Sequence, residues 1–377
     1  MYISDATELA SFCERAGKSR IIAVDTEFIR EHTYYPQLCL IQVSYGPESA
    51  CIDPILIKDL SPLVDLLVDE SVTKVFHACS QDLEVIKSTL GCDVAPVFDT
   101  QVAAAFLGLR QQIGYGALVE AYTGVHLPKA ESLTDWSRRP LDPEQLKYAE
   151  DDVNYLPGIY QEMMDDLTKR GRLGWVIPEM EEVSDPVHFS REPDLAYLHL
   201  KRAGSLTRKQ LAVARELCAW RERIAADHDI PRKWVVSDEV IVEACRRTPR
   251  TVERLRKIRG AESISGQEAS MAIEAIKRGV DCPPDDMPHK TRHSRPSQEM
   301  EGVLDLMFAM LRVIADKNEV AAQLVATKDD LLDFVDGDKD CRLRKSSWRY
   351  ELVGRELEGL LDGQVGLTVK DGHIELL

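Results

Sequence analysis

Residues 20–28 read RIIAVDTEF, and the fold turns on them. Ile21, Ile22, Ala23 and Val24 form an unbroken apolar run, which predicts a buried strand. Asp25 and Glu27 follow two residues apart, so on a strand both carboxylates face the same side. Two such acids repel, and a cation, an arginine or a proton must relieve them. Hard divalent ions take carboxylate oxygens. Read alone, the pair fits either a cation site or a strand end where both acids meet solvent.

Outward from this strand, residues 38–45 (LCLIQVSY) are also apolar and β-rich, and 50–53 and 74–77 are shorter candidates. Helical stretches lie near 60–69, 81–90 and 99–108. Strands followed by helices predict an α/β layer fold. The first strands lie close together, as antiparallel neighbours do, so the sheet is expected to be mixed. Asp82 opens a helix after KVFHA, where an acid fits either a cation or the helix dipole. Asp99, in VFDTQVAAAF, shares that ambiguity, and a helix cap is the preferred reading.

A well-marked helix start lies at Asp142, with Pro143 at the first helical position and Gln145 three residues after the cap. This helix puts Tyr148 and Asp152 one turn apart on one face. A phenol beside a carboxylate can orient or deprotonate a water. The pair equally fits a half-buried tyrosine over a surface acid. Glu150 and Asp151 are turned away from Tyr148, and Pro157 should kink or end the helix.

Residues near 180–200 read as a linker, and after Leu206 the pattern is helical only. Thr207 and Gln210 form a capping-box pair, and Val213, Leu217, Trp220 and Ile224 repeat at helical spacing. Thr248-Pro249 predicts a further helix start, and 285–297 a second linker. The last segment repeats the middle one at an offset of 90: Ile224-Ala225 with Ile314-Ala315, Ile230 with Val320, Val235 with Val325, Ser237 with Thr327.

A chain of 377 residues suggests two or three domains, and 44% hydrophobic with 29% charged residues is ordinary globular composition. The net charge of −17 argues against a polyanionic partner, yet residues 201–260 hold 16 Lys/Arg against 8 Asp/Glu. That local balance of +8 fits a nucleic-acid footprint or a solvated helical face. The nine scattered cysteines contain no CxxC pair, so neither a disulfide framework nor a zinc site is expected. With no long apolar run and no signal-peptide pattern, the expectation is a cytoplasmic chain without a membrane partner. Its acidity favours a monomer through self-repulsion.

The stretches VDTEFIREHTYYPQLCLIQ, HACSQDLEVI, FDTQVAAAFLG, TDWSRRPL and YAEDDVNYL occur in the order and rough spacing of the ribonuclease D family. The resemblance covers roughly residues 1–170 and rests on several separated motifs. It implies a DEDD-type 3′–5′ exonuclease domain with a tyrosine in the third motif, on an RNase H-like mixed sheet flanked by helices. The family's metal-binding acids fall on Asp25, Glu27, Asp82 and Asp152, and its tyrosine on Tyr148. The cofactors implied are two divalent cations, Mg²⁺ or Mn²⁺. Asp25, Glu27 and Asp152 would hold one, and Asp25 and Asp82 the other. Residues 206–282 resemble a helicase-and-RNase-D C-terminal (HRDC) domain, and SSWRYELVGRELEGLL a second such domain. The expected organisation is an exonuclease domain (1–175), a linker (176–203), an HRDC helical bundle (204–284), a linker (285–297) and a second HRDC-like bundle (298–377).

The implied reaction is hydrolysis of single-stranded RNA 3′ ends to nucleoside 5′-monophosphates, with tRNA precursors or other structured RNAs with a single-stranded 3′ tail as partners. Phe28 fits stacking on the terminal base or a core position. His77 fits a phosphate or ribose contact or a satisfied core histidine. Tyr34 and Tyr35 fit the RNA path or a cover over the sheet. Arg246, Arg247 and Arg250 fit a grip on the RNA body. The competing readings are a DNA 3′–5′ exonuclease, a non-catalytic RNA-binding module and a protein-docking scaffold.

Overall fold

The structure, a computed structural model, describes residues 1–128, 134–189, 192–288, 296–338, 341–344 and 347–377. The expected linker at 285–297 therefore lies partly outside the described residues. The chain forms two compact units. One holds Met1–Phe28, Leu38–His188 and His293–Leu377, and the other Ile29–Gln37 with Phe189–Arg292.

The first unit is built on a six-stranded sheet. Its strands are β1 (Tyr2–Ile3), β2 (Ile21–Ile29), β3 (Gln37–Ser44), β4 (Ser49–Ile52), β5 (Thr73–Phe76) and β6 (Val97–Asp99), in the order β1-β4-β3-β2-β5-β6. β3 and β4 pair antiparallel, while β2, β5 and β6 run parallel, so the sheet is mixed as expected. The apolar run of β2 is buried between β3 and β5, with Ile22, Ala23 and Val24 fully enclosed. β2 thus carries its acids at the middle of the sheet rather than at an edge.

Helix Pro143–Asn154 packs against β4, and its start has the predicted capping box between Asp142 and Gln145. Pro157 ends it: a new helix, Leu156–Lys169, begins after Tyr155 with the proline in its first turn. That helix and Leu173–Val183 cover β5 and β6.

The C-terminal helices of this unit share its core. Phe106 and Trp348 meet edge to face at 5.2 Å, and Trp175 stacks on Trp348 at 5.5 Å. Glu179 and Arg349 form a two-pronged pair of 2.6 and 2.7 Å with little solvent access. Burial alone would raise the Glu179 carboxyl, but the guanidinium offsets this and holds it below its ordinary value.

In the second unit, helix Arg208–Asp227 packs along helix Gly266–Val280. The two approach so closely that a Cβ on Gly279 would strike the Val213 backbone. The 90-residue repeat is explicit in the elements. Helices Arg208–Asp227, Arg232–Val235 and Asp238–Arg247 are matched by Gln298–Lys317, Ala322–Val325 and Lys328–Asp336. Asp229 and Glu319, also 90 apart, both adopt a positive φ. One expectation fails. Thr248 ends a helix, in a left-handed conformation with its N–H on Ala244, and the next starts at Val252 under a Thr251 cap. The Thr-Pro pair resembles a start because proline suits a first helical turn, but here Pro249 precedes the true cap.

Glu179→Ala should strand the Arg349 guanidinium and destabilise the first unit by about 3 kcal/mol in urea unfolding. A loss below about 1 kcal/mol would show that the Leu324 and Val325 carbonyls, which Arg349 also reaches, satisfy it alone.

Candidate metal centre

Three of the expected acids converge. Carboxylate oxygens of Asp25, Glu27 and Asp152 lie within 4.8 Å of one another. The period-two spacing on β2 aims the first two, and helix Pro143–Asn154 delivers the third. Asp82, in the first turn of helix Ser80–Leu90, stands close enough for its charge to act on Asp25 and Glu27. It accepts a 2.5 Å hydrogen bond from the Thr26 hydroxyl, so the residue between the two strand acids holds the fourth. Tyr148 donates to Asp152 from one turn away, as their spacing predicts, and stays 37% exposed. Asp151 faces elsewhere and pairs with Lys147.

The electrostatics of this arrangement are unfavourable by themselves. Burial raises Asp25 well above an ordinary aspartate, and the charges of Asp82, Asp152 and Glu27 raise it further. Glu27 is pushed up to about 8, by burial first and then by Asp152 and Asp82. Burial lifts Asp82 and Asp152 to about 7, against the opposing hydrogen bonds from Thr26 and Tyr148. The same burial and acids raise the Tyr148 phenol, which therefore keeps its proton and acts as a donor. Among the described residues no basic side chain is seen to offset these carboxylates, and a half-buried group of that kind suits a hard divalent cation.

The remaining expected residues lie in varied surroundings. Phe28 is half-buried at the end of β2. His77 has one ring nitrogen 3.0 Å from the Thr100 hydroxyl and the other 3.0 Å from the Ile113 carbonyl, which leaves neither for a substrate. Burial lowers its pKa, so it is a neutral imidazole donating to that carbonyl. Arg246, Arg247 and Arg250 are exposed in the second unit. Arg246 donates to Ser205, and Arg247 pairs with Glu243.

One supporting residue was read only in part and another escaped the sequence. Asp99 caps helix Thr100–Phe106, as the preferred reading held, but it also accepts from the Ala78 and Cys79 N–H groups. It thereby holds the turn that launches Asp82, where Ala78 has a φ of 61°. Tyr115 lies near Asp25 and Asp152, donates to the Asp151 carbonyl at 2.6 Å and packs on His77 at 5.6 Å. Its one sequence signal is an aromatic set between Gly114 and Gly116 at a helix start.

Comparison with known proteins agrees with this geometry. A family described as 3′-5′ exonuclease matches residues 1–168, and the HRDC domain family matches 210–266. Ribonuclease D of Sphingobium indicum is 41% identical over 99% of this chain and 97% of its own. Ribonuclease D of Zymomonas mobilis is 37% identical over 99% and 97%. The crystal structure of Escherichia coli RNase D, an exoribonuclease involved in structured RNA processing, has a TM-score of 0.83 and 31% identity. It covers 96% of this chain and 98% of that one.

The raised acids make a testable signature. Unfolded carboxyls titrate near pH 4. Between there and about pH 8 the folded chain holds the extra protons, so cation-free stability falls as pH rises through that window. A divalent cation takes the place of those protons. Added Mn²⁺ should therefore raise the melting temperature clearly at about pH 8 and little at about pH 5.5. An equal rise at both values would contradict the site.

Proposed function

The chain belongs to the ribonuclease D family, and from that premise we propose that it trims the 3′ ends of structured RNAs such as tRNA precursors, using two divalent cations held by Asp25, Glu27, Asp82 and Asp152. It is a hydrolytic 3′–5′ exoribonuclease, with an exonuclease domain and an HRDC domain. The convergence of Asp25, Glu27 and Asp152, with Asp82 alongside, is the observation that carries the site assignment. In our reading Asp25, Glu27 and Asp152 would hold one ion, and Asp25 and Asp82 the other, with Mg²⁺ or Mn²⁺ as the hard cations that suit this all-oxygen set. Such ions, when bound, would supply a stronger water nucleophile and neutralise charge on the leaving 3′ oxygen.

The protein's own groups do the positioning. Tyr148 keeps its proton, steadies Asp152 and presents a half-exposed hydroxyl that can orient the attacking water. Thr26 and Asp99 fix Asp82, one by a hydrogen bond and the other by holding its launching turn. Phe28, next to Glu27, offers a ring to the terminal base, and stacking of that kind tolerates any sequence. Arg246, Arg247 and Arg250 are exposed on the basic segment, which suits the RNA body.

Two further assignments extend the proposal. The matched helix triplets support reading the final segment as a second HRDC-like module. The nine free cysteines, eight of them buried, suit a reducing cytoplasm, and no helix among the described residues is long and apolar enough to cross a membrane.

A time course on 5′-labelled, 3′-tailed RNA with Mn²⁺ should give a ladder shortening from the 3′ end, abolished by EDTA. Asp25→Asn should lower turnover by about 10³-fold or more with the fold intact. Near wild-type activity in that variant would remove the site assignment. Tyr148→Phe should lower kcat by about 10²-fold and leave the KM for RNA nearly unchanged. A change in KM alone would refute the water-orienting role.

A further inference from the structure

The loop that follows the acidic strand belongs to the helical unit, although the strand's acids belong to the sheet unit. The chain leaves the first unit after Phe28 and returns at Leu38, and residues between are fastened to the helices of the second. Tyr34 is the anchor. It is buried, its hydroxyl donates to Glu222 at 2.8 Å, and Asp229 accepts from the N–H groups of both Tyr34 and Tyr35 at 3.0 and 3.1 Å. Asp229 reaches them from a turn with a positive φ of 47°.

This fastening displays three rings. Trp234 is 55% exposed, and it is the only one of the five tryptophans so exposed. The exposed His32 ring lies 5.8 Å from it. Tyr35 is 46% exposed, with its ring edge-on to Tyr34. Arg232 and Lys233 precede the tryptophan, both exposed. Leaving more than half of a tryptophan in water forfeits burial that the other tryptophans gain, so a partner with a flat apolar face is expected. Lys233 and Arg232, the latter shared with Glu222 at 3.4 Å, adjoin the indole on the basic segment of an acidic chain, which suits a polyanion that also carries flat faces. His32 follows Glu27 by five residues and Tyr35 by eight, so the chain tethers them within roughly 18 and 29 Å of contour from the acid.

We propose that Trp234, His32 and Tyr35, with Arg232 and Lys233, form a stacking subsite for the single-stranded RNA tail, at the segment that the chain joins directly to the acidic strand. The inference rests on the exonuclease reading and adds to it a source of tail-length preference. Stacking there would hold the tail between successive cleavages without reading its sequence.

The test uses the full chain with two probes, a twelve-nucleotide single-stranded RNA and a dinucleotide of the same 3′ end. Trp234→Ala should raise KM for the longer RNA by about 5- to 100-fold and leave its kcat and the dinucleotide unchanged. Trp234→Phe should restore most of that loss. Lys233→Ala should weaken longer-RNA binding and lower its salt slope by about 0.7. Unchanged KM in Trp234→Ala would overturn the subsite and leave the ring for a protein partner. Equal losses on both probes would also overturn it, because the effect would then lie in the catalytic centre. Wild-type chain that cleaved neither RNA would defeat the exonuclease reading itself, and the subsite with it.

Discussion

Mutual repulsion of desolvated carboxylates is the constraint on which the rest of the site depends. Asp25, Glu27 and Asp152 sit within 4.8 Å of one another, with Asp82 beside them, and burial raises all four. No basic side chain is among the causes that shift them. Such a group is tolerated only if protons or cations share it, and only if the backbone beneath cannot relax. The sheet meets the second condition. β2 lies inside it, flanked by β3 and β5, and its enclosed residues 22–24 leave Asp25 no freedom to turn away.

The neighbouring elements extend that rigidity. Thr26 and Asp99 hold Asp82 from two directions, and a capped helix fixes Tyr148 against Asp152. Farther out, the C-terminal helices close the same core through Trp348 and the Arg349–Glu179 pair. The last segment therefore supports the sheet unit, while the matched middle segment keeps its own core around residues such as Leu217 and Ile241. Two copies of one helix pattern thus have different structural duties.

Much of this was legible in the sequence because two simple periods carry it. A spacing of two on an apolar strand put Asp25 and Glu27 on one face, and a spacing of four on a capped helix paired Tyr148 with Asp152. The helix pairs 90 residues apart were visible for the same reason, since apolar periodicity survives divergence. What stayed hidden was set by neighbours in space. β1 and β6 have two and three residues, too short for any alternation to register. The second duty of Asp99, on the turn before Asp82, depends on strands β5 and β6 being adjacent. His77 could be read as core or contact until Thr100 and Ile113 were seen on its two nitrogens. Thr248 misled because a Thr-Pro pair fits a helix start as well as the end of a preceding helix.

The most direct measurement is a calorimetric titration of Mn²⁺ into the cation-free chain near pH 7, repeated in buffers of different ionisation enthalpy, with wild type and Asp152→Asn. Acids raised to about 7 and 8 are partly protonated there, so binding must expel protons. The account predicts two ions per wild-type chain, a buffer-dependent heat that reports proton release, and at least tenfold weaker binding in the variant. Binding without proton release, or equal binding by both proteins, would contradict it.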